Sequence, residues 1–375
     1  MSNILLVGNW PSDTGYAWWL MEAFWVAIAS RFKRERREIV LCFPKINGLN
    51  PRLVESGIQA VEFDFDLAAP GRLADFIRQH RIGYIYLTDK KYVSTTYARL
   101  RLAGVKGIII HDHTPGERTP PTGLKRVIKS VVARLPGMAA DAYVAVSPLV
   151  IDRFRQVACL PASKCHLATN GIDLDAFDAA APLDIRAELG LPPAALVLVS
   201  CGRATRYKGI HRIIEAAALV HARHGGRPIH FVHCGDGPDL ESFQQMIHDQ
   251  GLQGVFFLLG RRHDVSGILK AADVAIHASE GEALSLAILE FMAARLAVVL
   301  PNSPTVSQTV VDHRSGLLYE PGNPGDLAAK LTLLIESPEL RRSLGTEARR
   351  AVEERYTLRS TLAALLQAVA TTIRD

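Results

Sequence analysis

Residues 196–234 read LVLVSCGRATRYKGIHRIIEAAALVHARHGGRPIHFVHC. The run at 196–200 is short and apolar, which predicts a buried strand. Gly202 and Gly209 bracket a basic loop. Residues 209–223 space their apolar side chains for a helix, and 229–234 return to an apolar run. Strand, loop, helix and strand make the unit from which parallel sheets are built. Downstream, the pattern predicts a helix at 240–250 and strands at 255–259, 273–277 and 297–300. Upstream, it predicts strands at 4–7, 38–43, 60–65, 82–87, 106–110 and 143–147, with helices at 18–30 and 72–80. The chain therefore divides into two α/β halves. The expected domains are 1–175 and 176–356, with a helix over 357–373 that packs back on the first. The boundary follows Asn170, Gly171, Ile172 and Asp173 and precedes the Ala/Pro-rich stretch at 179–182.

The size and composition agree with this division. The 375 residues suffice for two domains, and 48% hydrophobic with 22% charged residues is ordinary for a globular chain. No apolar run is long enough to span a membrane. Residues 1–7 read as a first strand, without the basic start and long apolar run of a secretion signal, so a cytoplasmic location is expected. Cys42, Cys159, Cys165, Cys201 and Cys234 lack the close spacing of a zinc or redox motif and are expected as small apolar residues in a reducing compartment. The net charge is +5, and residues 1–180 hold 23 Lys and Arg against 17 Asp and Glu. The excess gathers at Arg31, Lys33, Arg34, Arg36 and Arg37 and at Lys125, Arg126, Lys129 and Arg134. These are either solvated helix faces or a surface for anionic lipid, by which the first half would touch a membrane peripherally. No interleaving of aromatic and basic residues points to nucleic acid.

In open parallel sheets, ligands bind beyond the carboxyl ends of the strands. Two such sheets facing each other would leave a cleft between them. After 196–200 come Gly202, Arg203, Lys208 and Gly209. A guanidinium fork, an ammonium and a helix start together suit a diphosphate. After 273–277 comes a loop with Glu280 and Glu282 that leads into an apolar helix carrying Glu290. A carboxylate in such a helix needs a partner, and ribose hydroxyls supply one. Free N–H groups at the helix start suit phosphate or sugar oxygens.

These features resemble the retaining glycosyltransferases of family 4, which have the GT-B fold of two facing Rossmann-like domains. Glu282 and Glu290 match the family's glutamate, seven residues, glutamate motif. Gly202 with Arg203, and Lys208 with Gly209, match its basic loop. Asn170 through Asp173, Gly235 through Pro238, and Leu259 with Gly260 follow in family order. The resemblance implies transfer of a sugar from a nucleoside-diphosphate sugar to a hydroxyl acceptor. It implies Arg203 and Lys208 at the diphosphate, Glu290 at the ribose, and Glu282 beside the sugar. It places the N–H groups of Leu284, Ser285 and Leu286 at sugar or phosphate, and Gly260 through Arg262 near the base. In the first half, Gly15 stands where the family has a glycine-rich turn, with Thr14 in place of its first glycine. His111 fits the active-site histidine, and His113 competes with it. The family's Gly-Gly-x-Pro-Glu turn is absent; 301–309 carries Gln308 instead. No metal-ligand set is visible, so neither metal nor cofactor is expected. The acceptor is read as a saccharide or lipid-linked saccharide of a cell-surface polymer. A nucleotide-sugar epimerase, or a binding protein without catalysis, is the alternative.

Overall fold

A computed structural model of the chain describes residues 2–14 and 18–374. It has two compact units, Met1–Thr169 with Thr361–Asp375, and Asn170–Ser360. Each is a parallel sheet with helices in the connections.

The strands of the first unit are β1 (Asn3–Val7), β2 (Ile39–Phe43), β3 (Gln59–Glu62), β4 (Ile82–Thr88), β5 (Gly107–Asp112), β6 (Ala142–Ala145) and β7 (Cys165–Leu167). Their order is β3-β2-β1-β4-β5-β6-β7, parallel throughout. The second unit has β8 (Leu196–Cys201), β9 (Ile229–Cys234), β10 (Phe256–Leu258), β11 (Val274–Ile276), β12 (Ala297–Pro301) and β13 (Leu317–Tyr319). Their order is β10-β9-β8-β11-β12-β13, again parallel. Helices cover both faces of a parallel sheet, so its central strands are apolar all along. Val197, Leu198 and Val199 are accordingly buried without alternation. Leu198, Ile213, Ile214, Phe231, Val274 and Leu331 share one core. These are the Rossmann-like units of the GT-B architecture.

In each sheet the winding reverses at the first strand. β1 lies between β2 and β4, and β8 between β9 and β11. The loops after β8 and β11 therefore flank a crevice at the carboxyl edge, where such sheets bind ligands.

Several bounds differ from the expectations. β5 extends to Asp112, so His111 lies within the strand and not after it. β3 ends at Glu62, short of the expected 65. β7 and β13, three residues each, are not among the expected strands; the residues of β7 are not buried and make no apolar run. The division falls at Thr169 and Asn170, ahead of 175. The reason is local: Ile172 N–H donates to Tyr356 O, and Leu358 N–H donates to Ile172 O, so the junction motif is bonded into the second unit. From Thr361 onward the chain belongs to the first unit, where the Tyr84 hydroxyl donates to Arg374 O. Trp25 is fully buried in that unit, edge-on to Trp18 and Phe43, whereas Trp10 is exposed. Among the described residues, no helix is long and apolar enough to cross a membrane.

Candidate active site

The loop after β8 begins at Gly202 and turns at Gly209, whose φ is 74°. That conformation is the left-handed one that glycine tolerates. Gly209 also lies against the end of β11: a Cβ there would stand 2.0 Å from Ala278 O. The basic loop is thus seated against the loop that carries the carboxylates. Lys208 Nζ donates to Glu282 Oε1 at 2.6 Å, and His277 Nε2–H donates to the same oxygen at 3.0 Å. Burial pushes the Glu282 carboxyl up, but the His277 hydrogen bond and the Lys208 charge outweigh it and hold the carboxyl at about 2. Glu282 is therefore an anion at any working pH.

Side-chain amides fix the loop between β11 and the helix Leu286–Ala293. Asn170 Nδ2 donates to Leu284 O at 2.9 Å, and Gln308 Nε2 donates to Ala283 O at 3.0 Å. Holding those two carbonyls sets the peptide planes. No described group accepts from the backbone N–H groups of Leu284, Ser285 or Leu286. A helix start with unclaimed N–H groups binds anions and sugar oxygens.

Glu290 is in this helix and 4% exposed. Its charge acts on the Cys201 thiol at the end of β8, which is pushed up mainly by its hydrogen bond with Cys234 and by burial. Arg203 is exposed and has no ion pair among the described residues. Gly260 has a φ of 62°, and its carbonyl accepts from Gly235 N–H at 2.8 Å. The Arg262 guanidinium is occupied: it binds Glu188 Oε1 at 2.6 Å and Asp264 Oδ2 at 2.7 Å. Arg262 thus fastens the loop after β10 to the helix Ile185–Glu188.

The first unit has a separate constellation at the edge of β1, β4 and β5. His111 is fully buried, and its Nδ1 is 2.5 Å from the Tyr86 hydroxyl. Burial pushes the Tyr86 phenol up, so it keeps its proton. Burial, and then His113, push the His111 imidazole down, so it is neutral. A phenol donating to Nδ1 leaves the ring proton on Nε2. That Nε2, Asn9 Oδ1 and Thr88 Oγ1 are buried with no hydrogen-bond partner among the described residues. Thr88 and His111 are register neighbours, and Asn9 Nδ2 donates to Thr88 O, so the three are adjacent. The His113 ring is tilted by 50° against the His111 ring at 4.1 Å, and its backbone N–H donates to Asp89 Oδ1 at 2.6 Å. Thr14 donates to Pro11 O in a turn, whereas Gly15 lies outside the described residues.

Residues 21–176 match the family model described as Glycosyltransferase Family 4, and residues 183–351 match that of Glycosyl transferases group 1. The chain belongs to the family 4 glycosyltransferases. The alpha-D-kanosaminyltransferase of Streptomyces kanamyceticus is 28% identical over 272 residues, covering 70% of this chain and 69% of that protein. The alpha-maltose-1-phosphate synthase of Mycolicibacterium smegmatis is 31% identical over 247 residues, covering 60% of this chain and 62% of that one, which is less than two thirds of its length. The crystal structure of Anabaena HepE in complex with UDP and glucose superposes with a TM-score of 0.76 at 20% identity, over 99% of this chain and all of that one.

Several residues of this glycosyltransferase's candidate site escaped the sequence reading. His277 stands at the end of the predicted strand, but nothing in sequence says that its ring turns to Glu282. Tyr86 reads as one more apolar strand residue. Both yield predictions. In His277→Ala the Glu282 carboxyl loses the strongest factor holding it down. The acid limb of kcat/KM should then move up toward the ordinary glutamate range near about pH 4.3. Below that limb the protonated Glu282 no longer pairs with Lys208. Rate profiles of parent and variant from neutral pH downward check it. Tyr86→Phe keeps the shape but removes the donor that fixes the His111 tautomer, and kcat/KM should fall about 3- to 10-fold. Steady-state kinetics at matched folding, judged by melting temperature, measures this.

Proposed function

We propose that this glycosyltransferase moves a sugar from a nucleoside-diphosphate sugar to a hydroxyl acceptor, with retention at the anomeric carbon and without a divalent ion. One observation carries the reading. The Lys208 ammonium and the His277 imidazole meet a buried, ionised glutamate, in a loop that leads to a helix start whose N–H groups are unclaimed among the described residues, at the reversal point of the second sheet. When the bond from the anomeric carbon to the diphosphate breaks, negative charge builds on the leaving group. Arg203, Lys208 and the N–H groups of Leu284, Ser285 and Leu286 stabilise it where it forms. This is the work a divalent ion does elsewhere. Glu290 accepts from the ribose hydroxyls, and Gly260 and its neighbours border the base. Glu282 faces the positive charge that develops on the sugar. The acceptor attacks from the side the diphosphate leaves, and a leaving-group oxygen takes its proton. His111 Nε2–H is a neutral donor for a saccharide hydroxyl. The acceptor is a saccharide or lipid-linked saccharide of a surface polymer, and the enzyme works at the membrane surface.

The test is a panel of nucleotide sugars with and without a chelator, beginning with UDP-glucose because a protein of this fold has been seen with it. Release of nucleoside diphosphate that chelator leaves unchanged, with a product of the donor's anomeric configuration by NMR, is the expected result. Chelator-sensitive turnover, inversion, or an altered sugar still on its nucleotide overturns it.

A further inference from the structure

The helix Gly123–Val132 has its amphipathic faces reversed. Leu124, Val127, Ile128 and Val131 recur at helical spacing, with Leu135 one turn beyond, so they share one face. That face looks outward: the four in the helix are 53–74% exposed and Leu135 is 36% exposed. No residue of the helix is buried. The polar side is the one held to the protein. Lys129 Nζ donates to Val157 O at 3.1 Å, and Arg134 Nη1 donates to Cys159 O at 3.2 Å. Ala133 is buried beneath it. Large apolar side chains ordinarily face the core, and a contiguous exposed patch marks an interaction surface.

Charge selects the partner. Residues 115–136 hold Arg118, Lys125, Arg126, Lys129 and Arg134 against Glu117 alone. An apolar ridge with basic residues beside it suits a layer that is apolar within and anionic at its surface. We propose that this helix docks the enzyme on anionic lipid, with Leu124, Val127, Ile128 and Val131 entering the headgroup layer and Lys125 and Arg126 meeting lipid phosphates. This rests on the reading of a membrane-surface enzyme and names the surface. It is independent of the donor chemistry.

The experiment sediments the full-length protein with vesicles of phosphatidylcholine alone, and of phosphatidylcholine with phosphatidylglycerol. The expected result is binding to the anionic vesicles only, weakening as salt is raised. Leu124→Asp with Ile128→Asp should lower the partition coefficient at least about tenfold, and so should Lys125→Glu with Arg126→Glu. Both variants alter exposed positions, and an unchanged melting temperature shows that each is folded. Equal binding to both vesicle types, binding unaffected by either variant, or no binding overturns the proposal. So does a concentration-dependent dimer that the aspartates dissociate, which would make a second copy the occupant. Donor turnover without vesicles is measured on the same samples. Its absence with vesicle binding intact counts against the transferase chemistry alone, and the converse against this surface alone.

Discussion

Lys208→Ala should lower kcat/KM for donor cleavage by about 10²- to 10³-fold while the chain stays folded. Two losses combine. On the proposed mechanism the leaving diphosphate loses a positive charge placed for it, and Glu282 loses one of the two groups that keep its buried carboxyl ionised. The Lys208 side chain is 27% exposed, so the fold does not depend on it as it depends on a core residue. Lys208→Arg should recover only part of the rate, since a planar fork does not reproduce a compact ammonium 2.6 Å from one carboxylate oxygen. Kinetics beside a melting curve decides the matter. A folded Lys208→Ala enzyme with unchanged kcat/KM would remove the residue from the chemistry.

The largest effect on stability is expected at Gly209→Ala. The backbone there has a φ of 74°, and the added Cβ would stand 2.0 Å from Ala278 O and 2.8 Å from Ala278 Cβ. Backbone cannot swing away as a flexible side chain can, so either the loop or the end of β11 must shift. The expected cost is about 3 kcal/mol or more, a fall in melting temperature of about 6–12 °C for a unit of this size. Gly251→Ala is the comparison. Its φ is 66°, but nothing lies within 4 Å of the added carbon, so it isolates the backbone term. Similar melting temperatures for the two variants would show that Ala278 does not press on this turn. Because Lys208 precedes Gly209, the same shift should move its ammonium off Glu282 and lower activity below the melting temperature too.

The fold was legible because buried parallel strands are continuous apolar runs, and β8, β9 and β12 were read almost to the residue. The edge strand β7 was not, since Cys165, His166 and Leu167 are not buried and make no apolar run, and neither was the three-residue β13. In the candidate site, Lys208, Glu282 and Glu290 were singled out through their places after strands and at a helix start, and the fold brings Lys208 to Glu282. His277, Tyr86 and the amides of Asn170 and Gln308 were not. Their roles rest on which way a ring or amide turns in the folded chain, and Asn170 meets Leu284 O only because a loop far along the chain comes back to it. The basic cluster at Lys125, Arg126, Lys129 and Arg134 was visible as charge. That Lys129 and Arg134 face inward became visible only with Val157 O and Cys159 O in place.

The division of the chain has a consequence for how it is made. The first unit is discontinuous: Thr361 onward belongs to it, Tyr84 bonds to Arg374 O, and Thr372 lies at Gly107. On the ribosome, β1 through β7 emerge well before the residues that complete their unit, and the whole second unit is synthesised in between. Domains that are continuous in sequence can fold in the order of their synthesis. Here the first unit must wait with its Tyr84 and Gly107 edge uncovered while the second folds, and its closure spans a loop that is itself a folded domain. A nascent chain arrested after residue 360 should therefore be open to proteolysis in its first unit while the second is already resistant.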